Sequence, residues 1–167
     1  MAEAPLSSIQ DRYPEDASHC YGCGTENPAG LHLQSRWEGN EVVARFRPRG
    51  EHMSLPGFVY GGLIASLIDC HAMATAAAYV EQQVGGGGEA GEMPRFVTAA
   101  LKVDYLRPTP LGLGLELRAT VTESGRRKQI VDVRLFAGGH ETARGTVVAV
   151  PMPPSMLPAP GHLDGTL

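Results

Sequence analysis

The chain has no internal repeat, no surplus of basic residues, and no basic stretch leading into an apolar one at its amino terminus. The last absence removes a secretory signal from Met1 to Tyr13. Lys and Arg number 14 against 18 Asp and Glu, for a formal net charge of −4. That balance argues against a nucleic-acid binder, whose surface is basic. No apolar run approaches the length of a membrane span, because Gly, Asp and His interrupt residues 57–80. Cysteine is scarce and odd in number, at three. Without a signal, this points to reduced thiols and a cytoplasmic location. The run Val84-Gly85-Gly86-Gly87-Gly88-Glu89 has no Gly-Lys-Ser/Thr after it, so it reads as a loop rather than a phosphate cradle. What remains is ordinary for one globular domain with one sizeable core: 167 residues, 43% hydrophobic and 19% charged.

Residues 1–18 are polar and aperiodic and read as a leader lying over the domain, which spans 19–150; a proline-rich tail follows from Pro151. Leu31 to Trp37 and Glu41 to Arg47 each alternate with period two, and Trp37-Glu38-Gly39-Asn40 supplies turn residues between them, so a hairpin is expected. After a loop from Arg49 to Pro56, Leu63, Ile64, Leu67, Ile68 and Ala72 recur at helical spacing, which predicts a helix from about Gly61 to Val80. Four strands then follow, Phe96–Leu106, Leu115–Glu123, Lys128–Phe136 and Ala143–Val150, with short antiparallel turns between them. One apolar helix against one curled antiparallel sheet is an α+β domain.

The segment from Gly57 to Asp69 carries the chemistry. Gly61 and Gly62 open the helix and leave backbone N–H groups uncovered for a carbonyl or anion. Asp69 lies two turns further on, among Ala65, Ala72, Met73 and Ala76, where burying a carboxylate is costly unless it is paired or used. An oxyanion-stabilising dipole and a carboxylate are the parts needed for acyl hydrolysis. The plain alternative is a core helix whose Asp bonds a neighbouring backbone group.

Three segments in this order resemble the hotdog-fold thioesterases, in particular the acyl-CoA hydrolases related to the phenylacetic-acid-pathway and mammalian thioesterase-superfamily enzymes. They are the Cys-rich His19-Cys20-Tyr21-Gly22-Cys23-Gly24 with Asn27-Pro28-Ala29-Gly30-Leu31, the Pro56-Gly57-Phe58-Val59-Tyr60-Gly61-Gly62 helix start with Asp69, and the Phe96 to Pro108 strand. The resemblance implies a hotdog fold, with one long central helix wrapped by an antiparallel sheet of about five to six strands. It implies that Asp69 attacks the thioester or activates water, that the Gly61 N–H faces the thioester oxygen, and that Gly62 permits close packing beside it. Thr98 matches a hydroxyl that orients water or substrate, Ser54 matches a polar position at the site, and His52 is a further polar contributor. Tyr60 stands where the family has His. A homodimer or homotetramer is expected, with Asp69 and Thr98 acting from different chains, and no cofactor beyond the coenzyme A of the substrate.

Arg126-Arg127-Lys128 follows the Ser124-Gly125 turn and is a candidate for the coenzyme A phosphates. Cys20 and Cys23 have the spacing of half a zinc site, but no second pair exists and Cys70 lies in the helix. Closure would require His19 and His32, so a structural turn or a subunit contact is expected rather than a metal. His71 does not face Asp69 on a helix. Acyl-CoA hydrolysis is therefore the leading expectation. A non-catalytic acyl-CoA-binding or regulatory protein is the alternative, and a hydratase or dehydratase on the same fold is the third.

Overall fold

The computed structural model describes residues 7–84 and 93–156. The glycine run from Gly85 and the tail beyond Met156 lie outside the described residues. Strands β1 (Ser35–Glu38) and β2 (Glu41–Phe46) precede helix α1 (Gly61–Gln83), and β3 (Phe96–Tyr105), β4 (Leu115–Ser124), β5 (Gln129–Ala137) and β6 (His140–Pro151) follow it. All six strands pair antiparallel in one open sheet of order β1-β2-β4-β5-β6-β3. This is the hotdog arrangement, with α1 packed against β3, β4, β5 and β6.

Turn chemistry sets the register. Gly39 has φ 66° in the two-residue β1–β2 loop, and Gly138 and Gly139 have φ 56° and 79° between β5 and β6. Such left-handed residues match the twist of the flanking strands. β1 begins at Ser35, four residues later than the alternation predicts, because Leu31 and Leu33 donate to Tyr21 and Gly22 of the Cys-rich loop at 2.7 and 3.0 Å instead of joining the ladder.

α1 is long and apolar enough to cross a membrane, which corrects the expectation that no run approaches that length. It is nonetheless the core helix. Leu63, Ile64, Leu67, Ile68, Ala72 and Ala76 are buried among β-strand residues such as Leu117, Val131, Leu135 and Val147. Residues 7–18 also join the body of the domain through two 3-10 turns: Ile9 is buried, its N–H donates to Ser35 O at 2.9 Å, and Arg12 pairs with Glu81.

Gly145 on β6 lets the helix sit this close. A Cβ there would lie 2.4 Å from Ile68 Cγ2. Gly145→Ala is therefore expected to cost about 1–3 kcal/mol through overpacking. Urea denaturation checks this: the midpoint should fall while the slope stays unchanged.

Candidate active site

The helix start is built by a tight turn. Phe58 N–H donates to Leu55 O at 2.9 Å across Pro56-Gly57, and Gly57 has φ 88°, as a type II turn requires of its third residue. Tyr60 caps α1 in an extended conformation without a side-chain bond, and its carbonyl accepts from Leu63 and Ile64. The N–H groups of Gly61 and Gly62 belong to the first turn and have no intrahelical acceptor. Two phenols flank these glycines. The Tyr60 ring lies across Gly62, where a Cβ would come within 2.3 Å of it. The Tyr105 hydroxyl donates to Gly61 O at 2.7 Å from the end of β3. Burial, and then the nearby Tyr60, raise the Tyr105 pKa above the ordinary phenol value.

Asp69 is half-buried, and its Oδ1 accepts from the Thr98 hydroxyl of the same chain. This contact corrects the expectation that the two act from different chains. Strict alternation along β3 would turn Thr98 away from Leu101, Val103 and Tyr105, but the strand is not regular. The β3–β6 register shifts between Thr98 and Ala100, so Thr98 pairs with Ala149 and Leu101 with Val147, both partners being core-facing. The extra residue restores Thr98 and Tyr105 to the same helix-facing side. Burial raises the Asp69 pKa above the usual carboxylate value, the Thr98 hydrogen bond opposes that rise, and the charge of Cys20 adds to it.

Asp69 opens on a largely apolar cavity of about 250 Å³ lined by Tyr13, Met73, Phe96, Met152 and Met156 together with Cys20, Cys23 and Cys70. A shallower groove shares Phe96, Arg95 and Met152 with this cavity and includes Arg126. Of the basic turn, Arg126 lines this neighbouring groove, while Arg127 and Lys128 are exposed on the same turn. His52 is buried, its Nδ1 accepts from Arg49 N–H at 3.0 Å, and its ring stands 5.5 Å from Phe46, so it braces the loop. Ser54 is exposed, with its hydroxyl 3.4 Å from the Phe58 and Val59 carbonyls. His71 faces away from Asp69, as expected, and bonds Ser35 and Val42.

The three thiols converge. Cys70 reaches from α1 to the Cys20–Cys23 pair, so all three sulfurs lie within 4.8 Å of one another. That corrects the inference that only histidines were available to complete the set. Tyr105 is the site residue that sequence reasoning passed over. Its one signal, a phenol ending an apolar strand, is too common to single out without the bulge.

Asp69 lies eight positions after Gly61 on one helix, about 12 Å at 1.5 Å per residue. One chain therefore does not bring both groups to one carbonyl. Around the helix start and the β3 sheet edge, Phe58, Tyr60, Leu101, Tyr105 and Leu106 are exposed.

The thioesterase superfamily model matches residues 56–144. A thioesterase superfamily protein from Shewanella loihica is 45% identical over 82% of this chain and 96% of its own, with a TM-score of 0.63. The smu.793 protein of Streptococcus mutans, solved bound to acetyl CoA, is 20% identical over 72% of this chain and 88% of its own, with a TM-score of 0.57. A phenylacetic acid degradation-related protein from Ralstonia eutropha is 20% identical over 72% and 85%, also at 0.57. The last two likenesses speak to the fold alone. No curated protein matches the chain.

Proposed function

Since the chain belongs to the thioesterase superfamily, we propose that it hydrolyses an acyl-CoA thioester to a carboxylic acid and coenzyme A. The observation that carries this reading is Asp69, half-buried at an apolar cavity with its affinity for protons raised and one oxygen held by Thr98. In the proposed reaction Asp69 takes a proton from a water, the hydroxide oxygen attacks the carbonyl carbon, and the carbon–sulfur bond breaks. The proton then passes to the leaving thiolate, which regenerates the carboxylate. Developing charge on the carbonyl oxygen is met by the Gly61 N–H, where the helix dipole favours it.

The 12 Å between the two groups on one helix supports a homodimer in which one copy supplies Asp69 and Thr98 and the other supplies Gly61, Gly62, Tyr60 and Ser54. The open β3 edge and the apolar residues around the helix start are the surface such a dimer would cover. Arg126, with Arg127 and Lys128, is assigned to the coenzyme A phosphates, since the groove that Arg126 lines shares Arg95, Phe96 and Met152 with the cavity. The acetyl CoA held by the Streptococcus mutans neighbour supports the ligand class. Tyr60 in the usual His position favours a second reading, an acyl-CoA binder without turnover. A hydratase is disfavoured because His71 is occupied on the far side of the helix.

The test is turnover of short-chain, medium-chain and aryl-acyl-CoA, followed by thioester absorbance so that the three thiols do not interfere. Hydrolysis of at least one supports the proposal. Binding of coenzyme A without hydrolysis of any would overturn it in favour of the binder.

A further inference from the structure

The Cys-rich loop and helix α1 meet at sulfur. Cys20 Sγ lies 3.7 Å from Cys70 Sγ, and Cys23 Sγ completes a triangle with no edge above 4.8 Å. A disulfide would need about 2.05 Å and would leave the third sulfur over. Two sulfurs bound to one tetrahedral zinc at about 2.3 Å stand about 3.8 Å apart. The observed edge fits the second geometry.

The backbone is shaped for the same purpose. Gly24 N–H closes the loop on Cys20 O at 2.7 Å. A Cβ on Gly24 would fall 2.4 Å from Ser18 O, and one on Gly22 would fall 2.2 Å from Cys70 Sγ. Only glycine at both positions lets the loop fold around its own first cysteine and lie against the third sulfur. Cys23 and Cys70 are buried, while Cys20 is exposed and leaves a path for an ion to enter.

We propose that Cys20, Cys23 and Cys70 are the three protein ligands of a zinc ion that pins the Cys-rich loop to helix α1, with the fourth position opening on the cavity beside Asp69. Soft thiolates in a tetrahedral set select zinc over magnesium or calcium. This site does not depend on the hydrolytic reading, and its readout is metal rather than turnover.

The full chain, reduced and stripped with a chelator, would be titrated with Zn²⁺ and separately with Co²⁺. The expected result is one ion per chain, and Co²⁺ should give strong thiolate-to-metal charge transfer with the visible bands of a tetrahedral site. Cys20→Ser, Cys23→Ser and Cys70→Ser should each weaken binding by roughly 100-fold or more, and Gly22→Ala should do the same. Circular dichroism of each variant separates lost binding from lost folding, and the exposed Cys20→Ser keeps the test decisive if Cys70→Ser does not fold. Failure to bind one equivalent would overturn the proposal. So would uptake that Cys70→Ser leaves unchanged in a folded chain, or a Cys20–Cys70 disulfide in freshly isolated, unreduced protein.

Discussion

Asp69→Asn lowers acyl-CoA turnover by roughly 10²- to 10⁴-fold, the span expected when a positioned general base is lost. The substitution keeps the side-chain volume and leaves Oδ1 to accept the Thr98 hydrogen bond, so the site keeps its shape while the base is removed. Affinity for coenzyme A should change little, because Arg126 and its groove are untouched. A loss of kcat with little change in KM for a good substrate, with unaltered circular dichroism, is the expected pattern. Equal rates in the native and variant chains would remove Asp69 from the mechanism. Thr98→Val should cost less, up to about 100-fold, because it leaves the base in place and disturbs only its position.

His71→Leu removes the centre of a buried chain of hydrogen bonds and is expected to cost about 2–5 kcal/mol. Gln10 Nε2 donates to Ser35 Oγ at 3.1 Å, and Ser35 N–H donates back to Gln10 Oε1 at 2.8 Å. Val42 O can only accept, so His71 Nε2–H donates to it at 3.0 Å, and Nδ1 is left to accept from the Ser35 hydroxyl at 2.8 Å. The neutral ring therefore satisfies the first 3-10 turn, β1, β2 and α1 together. Leucine would leave the Ser35 hydroxyl and the Val42 carbonyl without that partner in a buried place.

The same ring makes the fold acid-sensitive. Burial pushes the His71 pKa down to about 4, against an ordinary 6.5, with the Val42 carbonyl opposing the shift. Above pH 6.5 both folded and unfolded chains hold it neutral, and its full contribution to stability is present. As pH falls from 6.5 toward 4 the unfolded chain takes a proton that the folded chain refuses, so stability declines by on the order of 3 kcal/mol. Urea midpoints at pH 7.5 and pH 4.5 should differ by this slope in the native chain and by much less in His71→Leu. An equal drop in both would assign the acid sensitivity elsewhere.

The order of elements was legible in the sequence because each is encoded locally. Alternation marks a strand, a 3.6-residue apolar period marks α1, and Gly-Gly or Gly-Asn marks a turn; none of these needs a distant residue to be read. Gly61 and Gly62 as the start of α1 belong to that class, since the break in pattern sits on the residues themselves. Even there, Leu31 and Leu33 misled, because an extended segment can bond a loop as well as a ladder.

By itself the sequence determined the α+β hotdog architecture and, through its motifs, membership of the thioesterase superfamily. Only the tertiary structure decided which side chains meet. One unpaired residue between Thr98 and Ala100 reverses the strand's parity and aims Thr98 at Asp69 and Tyr105 at Gly61. Cys70 joins Cys20 and Cys23 across some fifty residues of chain, and Gln10 reaches His71 through Ser35. Periodicity fixes which residues share a face within one element. Contacts between elements depend on the register and close approach of whole segments, which the packing of α1 against the sheet sets.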